Sequence, residues 1–206
     1  EMIEKMDLLV VPGGFAFGDR EYDKATENYT INPGKKATEC KATEIIFKAI
    51  EKRIPVVGIC NGFQILIKLG LLPGSLNLSK NEKFTCMSVN CKLDGVFKER
   101  NVSNEDQLEL DVANSFGRYE VSEEEYNTMN RNGQVILRYE DKSYQSMNGS
   151  FENIAGVCDE NHLVFGMMPH PERNNFHSKI RDILLQIIET PQQLYTCRRL
   201  FKTEVK

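Results

Sequence analysis

Two periods of apolar residues organise the first third of the chain. Short, wholly apolar runs alternate with segments in which apolar residues recur three and four apart. Asp7-Leu8-Leu9-Val10-Val11 is a continuous apolar run halted by Pro12-Gly13-Gly14, which fits a strand covered on both faces of a parallel sheet. From Phe15 to Lys36 the chain turns to Gly, Asp, Asn, Pro and Tyr without an amphipathic period and reads as a loop. Ala42, Ile45, Ile46, Ala49 and Ile50 then share one helical face, with Thr38 a candidate cap. Pro55-Val56-Val57-Gly58-Ile59 predicts a second buried strand, and residues 62–69 a short helix ended by Gly70. Beyond Pro73-Gly74, β-type composition between turn residues predicts strands over 84–89, 107–112, 134–139, 154–158 and 163–168. One helix, over 123–130, interrupts them, and a last amphipathic helix spans 178–189 and stops before Pro191.

Strands alternating with helices predict an α/β fold: a doubly wound, mostly parallel sheet with added antiparallel strands. One domain is expected over 1–190, followed by a solvated tail over 191–206. The chain opens almost directly on a buried parallel strand, so an earlier strand and helix of such a sheet are expected to be missing. Composition adds bounds. With 206 residues, 40% hydrophobic and 27% charged, the chain suits an ordinary globular domain with one core. A formal charge of -4 leaves no basic stripe for nucleic acid and no polybasic patch for a membrane surface. No apolar run approaches the roughly 20 residues of a membrane-spanning helix, and the chain reads as cytoplasmic. Six cysteines without a CxxC, and only three histidines, argue for reduced packing residues and against a metal site.

The exception among the cysteines is Cys60. Gly58-Ile59-Cys60-Asn61-Gly62-Phe63-Gln64 places it on the turn between a buried strand and a helix, with a glycine two residues to either side. Such an elbow forces the side chain out of the sheet, and bare flanking positions let a substrate approach. A helix N-terminus also favours thiolate over thiol. Read alone, Cys60 fits equally a small core residue in a βα turn.

A partner for it stands near the other end of the chain. In Gly166-Met167-Met168-Pro169-His170-Pro171-Glu172-Arg173, prolines on both sides of His170 exclude a helix. In an extended segment Glu172 lies on the same side as His170 and holds its imidazole in one tautomer, leaving the other nitrogen for a nucleophile. That is the nucleophile, base and orienter logic of a cysteine hydrolase. The bland reading is a loop histidine with a chance acidic neighbour. Gly13 and Gly14 end the neighbouring strand on the same edge as Cys60, and their N–H groups, with that of Asn61, are candidate oxyanion donors. Glycine pairs also end strands for purely conformational reasons.

Taken together, the stretch from Pro12 to Asp19, the cysteine elbow, Gly70-Leu71-Leu72-Pro73-Gly74 and the run from Gly166 to Arg173 resemble the class I glutamine amidotransferases, and among them the glutaminase of phosphoribosylformylglycinamidine synthase. The resemblance implies that Cys60 forms a glutamyl thioester, that His170 is general base and acid with Glu172 its orienter, and that Gln64 helps hold glutamine. It implies that ammonia passes to a synthetase subunit or fused domain that converts formylglycinamide ribonucleotide to its amidine. ATP and Mg are expected on that partner, with no cofactor in this chain, which has no phosphate-binding glycine loop. One departure stands out: Asn114-Ser115 occupies the place of a His-Gly usual in the family. Two other readings stay open, namely the glutaminase of another class I amidotransferase and a catalytically silent subunit that docks a synthetase.

Overall fold

The computed structural model describes residues 3–14, 21–23, 28–30, 43–103, 105–173 and 177–189. In chain order its strands are β1 (Leu9–Val11), β2 (Glu21–Asp23), β3 (Asn28–Thr30), β4 (Val56–Ile59), β5 (Ser75–Asn77), β6 (Thr85–Leu93), β7 (Gln107–Asn114), β8 (Arg118–Glu120), β9 (Val135–Tyr139), β10 (Ile154–Cys158) and β11 (Val164–Met167). Its α-helices are α1 (Thr43–Glu51), α2 (Asn61–Lys68), α3 (Gly95–Arg100), α4 (Glu123–Arg131), α5 (Lys142–Asn148) and α6 (Ser178–Glu189).

Seven strands form one sheet in the order β1-β4-β11-β10-β9-β6-β7. The pairs β1–β4 and β4–β11 are parallel, as expected of the apolar runs that make them; β4 and β11 are buried throughout, whereas β1, at the edge of this sheet, is covered less than expected and leaves Val10 exposed. The next four pairs are antiparallel. The α/β class and the added antiparallel strands therefore stand. Among the described strands of this sheet, however, the parallel part is the smaller one. The sheet also curls, because an isolated antiparallel bridge joins Asp111 of β7 to His170, just beyond β11.

Helices cover both faces. Residues alternate along β11, so Phe165 and Gly166 point to opposite sides. Phe165 packs on Phe97 of α3, ring centroids 5.5 Å apart, and α3 in turn touches α6. Gly166 faces α2, where Phe63 fills the space a side chain would need. Phe63 and Leu66 of α2 are wholly buried, each worth about 1.5–3 kcal/mol of removed apolar surface.

Two short helices, α3 and α5, depart from the expectation of a single helix among the later strands. They run six and seven residues, too short to display a helical period, and each begins at an aspartate cap. Asp94 accepts from the Gly95 N–H, and Asp141 from those of Ser143 and Tyr144. The loop expected from Phe15 to Lys36 contains the small antiparallel pair β2–β3. Thr38 and the tail over 191–206 lie outside the described residues. No described helix is long and apolar enough to cross a membrane.

Candidate active site

Parallel pairing brings the ends of β1, β4 and β11 to one edge of the sheet, so Gly13, Cys60 and His170 emerge together. Cys60 sits at φ 50°, ψ −105°, a conformation costing about 1–3 kcal/mol for a residue with a side chain. The neighbours that impose it are visible. Its N–H donates to Met167 O at 2.8 Å, and its carbonyl accepts from Gln64 N at 3.1 Å, opening α2. Cys60 thus caps α2, where unpaired amides favour a thiolate.

The flanking glycines serve packing. A Cβ on Gly58 would lie 2.8 Å from the Gly62 carbonyl carbon, and one on Gly62 would lie 2.7 Å from the Val11 carbonyl carbon and nearer still to its oxygen. The space expected to admit substrate there is filled by the crossing backbones of β1 and α2. Among the described residues, the open space lies beside Gly14. A Cβ on Gly13 would touch His170 Cε1 at 2.9 Å and Cys60 Cβ at 3.4 Å, so Gly13 borders both reacting side chains. Gly14, at φ 131°, has nothing within 4 Å of where its Cβ would be.

His170 Nδ1 and Glu172 Oε1 are 2.6 Å apart. An ionised carboxylate only accepts, so that pairing assigns the proton to Nδ1 and the lone pair to Nε2. Nε2 is buried and has no hydrogen-bond partner among the described residues. Burial works against the charge on Glu172. The hydrogen bond from His170, the residue's own N–H, and the nearby Arg173 guanidinium outweigh it and hold the carboxyl below its ordinary range. The segment is less extended than expected: His170 pairs like a strand residue, whereas 171–173 form a turn.

The structure thus gathers Cys60, His170, Glu172 and Gly13, with Gly14 opening beside them. The side chains of Asn61 and Gln64 turn elsewhere. Asn61 Nδ2 donates to Gln64 Oε1 at 2.7 Å, and Gln64 Nε2 donates to Phe116 O at 2.8 Å, all buried. Together they tie α2 to the turn after β7. That turn is also held by Ser79 N donating to Ser115 O and Ser150 Oγ donating to Gly117 O.

Sequence reasoning missed the wall that β7 contributes. The Cys60 thiol lies 3.8 Å from Ala113 O. His170 N donates to Asp111 O at 2.8 Å, and the Asp111 carboxylate takes Ser88 Oγ at 2.6 Å and lies 3.8 Å from the Arg173 guanidinium. Nothing in the alternating pattern of a strand reports that its sheet will curl back. A broad groove lined by Gly74, Glu120, Glu125 and Phe151 contains none of these groups.

Residues 1–201 match the model of the CobB/CobQ-like glutamine amidotransferase domain. The chain belongs to that family. A curated relative, phosphoribosylformylglycinamidine synthase subunit PurQ of Aquifex aeolicus (strain VF5), is 42% identical over 178 residues, covering 83% of this chain and 74% of that one. The solved structure of PurLQS from Thermotoga maritima superposes with a TM-score of 0.66 at 34% identity, covering 88% of this chain and 78% of that one. A glutamine amidotransferase from Thermotoga maritima, 15% identical with a TM-score of 0.54 over 91% of this chain and 80% of its own, shares the fold. The resemblance read from the four motifs is borne out.

Proposed function

We propose that this amidotransferase hydrolyses glutamine with Cys60, His170 and Glu172 and delivers ammonia to an ATP-dependent synthetase that turns formylglycinamide ribonucleotide into its amidine. The observation that carries the site assignment is the buried, unpaired His170 Nε2, fixed by Glu172 and sharing the Gly13 surface with Cys60. The relative of 42% identity and the PurLQS structure support the reaction and the partner.

His170 Nε2 takes the thiol proton as Cys60 sulfur attacks the carboxamide carbon. The oxyanion that forms is received by N–H groups at Gly13, Gly14 and Asn61. Breaking the C–N bond releases ammonia, which carries away the proton held on Nε2. Water, deprotonated by the same nitrogen, then splits the thioester to glutamate and returns the proton to sulfur. Glu172 keeps Nε2 as the lone-pair nitrogen throughout. Gln64, near the start of α2, ties that helix to the turn after β7 through the Phe116 carbonyl. ATP and Mg belong to the synthetase in this reading. A reduced nucleophile and free cysteines at 60, 86, 91 and 158 suit the cytoplasm.

The test is glutamate and ammonia release from glutamine by the chain with its synthetase, wild type against Cys60→Ala. Release that vanishes in the variant supports the assignment; release that persists places the chemistry elsewhere.

A further inference from the structure

The base and its orienter are backed by a second pair of charges. Arg173 follows Glu172 directly, and its guanidinium Nη1 lies 3.8 Å from Asp111 Oδ2 on β7. The other oxygen of that carboxylate, Oδ1, accepts from Ser88 Oγ at 2.6 Å, and Ser88 is the residue directly opposite Asp111 in the β6–β7 pair. The Asp111 carbonyl meanwhile takes the His170 N–H. One residue thus holds the histidine by its main chain and the arginine by its side chain.

That arrangement answers a conflict in the local sequence. A guanidinium presents a fork of donors that fits both oxygens of a carboxylate. The carboxylate next to Arg173 in the chain is Glu172, whose Oε1 is the partner of His170 Nδ1 at 2.6 Å. An arginine free to turn back would compete with the histidine for it. The side chains of Glu172 and Arg173 are each 39% exposed, so packing alone restrains neither. Among the described residues no ion pair joins the two. Burial works against the Glu172 charge and the His170 hydrogen bond is the first group to offset it, whereas Arg173 acts there through its charge, without a bond.

The cleft around this pair is lined by Ser88, Glu109, Asp111, His170, Arg173 and His177. Glu109, exposed on β7 two residues before Asp111, is the further carboxylate on that face. His177 is pushed below its ordinary range by burial and then by Lys179, so it is neutral at pH 7 and does not displace Arg173 from Asp111.

We propose that Asp111 is a positioning residue: it tethers Arg173 so that the guanidinium cannot capture the Glu172 carboxylate, and Glu172 stays on His170. The proposal rests on the glutaminase reading above.

The experiment compares Asp111→Asn, Arg173→Gln and the double variant, each in the complex with the synthetase, reading kcat and KM for glutamate release from glutamine. Asparagine keeps the shape and an oxygen for Ser88, removes only the charge, and leaves the main-chain bridge to His170 in place. For Asp111→Asn, kcat is expected to fall about tenfold with KM unchanged, a part of the roughly 10⁴-fold loss that follows when a triad loses its orienting carboxylate. Arg173→Gln should stay within about threefold of wild type, since an exposed charge contributes little. The double variant should return to the level of Arg173→Gln, because the competitor for Glu172 is gone. A role for Asp111 in folding or strand pairing gives no such rescue. The tether is overturned if Asp111→Asn is as active as wild type, or if the double variant is no better than Asp111→Asn. It is overturned also if Arg173→Gln alone loses as much, which would make the guanidinium a support that Glu172 needs. Alkylation of Cys60 by iodoacetamide, with the exposed Cys86 as internal reference, reads the same variants without glutamine turnover. If the wild-type complex releases no Cys60-dependent glutamate, the glutaminase reading fails, and the alkylation rates still decide the tether: slowed in Asp111→Asn and restored in the double variant, it stands; equal in all, it falls.

Discussion

Replacing Gly62 by alanine tests whether the elbow is held by contact between backbones. The Cβ would lie 2.7 Å from the Val11 carbonyl carbon. Ordinary contact begins at 3.4 Å, so the end of β1 must retreat from α2 by at least 3.4 − 2.7 = 0.7 Å. Both neighbours are main chain and no side chain can swing aside, which puts the cost at the upper end for overpacking, about 3 kcal/mol. At about 2–4 °C per kcal/mol for a chain of this size, the thermal midpoint falls by about 6–12 °C. The same retreat carries Gly13 away from Cys60 and His170, and a misplacement approaching 1 Å lowers turnover by roughly 10²-fold. The control is Gly70→Ala. Gly70 has φ +70° and open space where a Cβ would go, so only left-handed strain is added, about 1 kcal/mol or about 2–4 °C. Differential scanning calorimetry and glutamate release on both variants decide the matter. If Gly62→Ala is no more destabilising than Gly70→Ala, backbone contact is not what excludes a side chain at position 62.

Two further outcomes follow from the same structure. The folded-state pKa of Glu172 lies below its unfolded value, so its ionised form contributes stability above the unfolded carboxylate range, and that contribution is lost as pH falls through the folded value. The thermal midpoint of wild type should exceed that of Glu172→Gln by a constant margin near neutrality, and the margin should begin to narrow as pH falls below the ordinary glutamate value of 4.5; a margin that widens on acidification contradicts the ionised pairing with His170. Ser122 caps α4 by accepting from Glu125 N at 3.2 Å, so Ser122→Ala should lower stability by about 1 kcal/mol, or about 2–4 °C. A calorimetric midpoint unmoved by the change would show that the cap contributes nothing.

What could be read from sequence was what local chemistry dictates. The apolar runs at β4 and β11 are buried in every residue, that at β1 is covered only in part, and the Gly-x-Cys-x-Gly elbow and the Pro-His-Pro-Glu run announce a nucleophile and a held base. Helices α3 and α5 were illegible because they span less than two turns, although Asp94 and Asp141 stood at their starts as caps. The partners of Gln64 had no sequence signal for a different reason: only the fold reveals that its amide bonds Asn61 and the Phe116 carbonyl, 52 residues along the chain.

The curl of the sheet explains why the site needs its antiparallel part. Parallel strands deliver Cys60 and Gly13 to one edge, but a proline on each side of His170 leaves that segment few backbone donors with which to fix itself. The one N–H at His170 is taken by the Asp111 carbonyl, so β7 supplies the anchor that β11 cannot. The same strand places the Ala113 carbonyl at the thiol. The anchor is made by main chain, so a side-chain change at Asp111 leaves the bridge to His170 intact and acts on the site only through Ser88 and Arg173. Position 113 stands apart, because its carbonyl faces sulfur directly and any shift of β7 reaches the nucleophile there first.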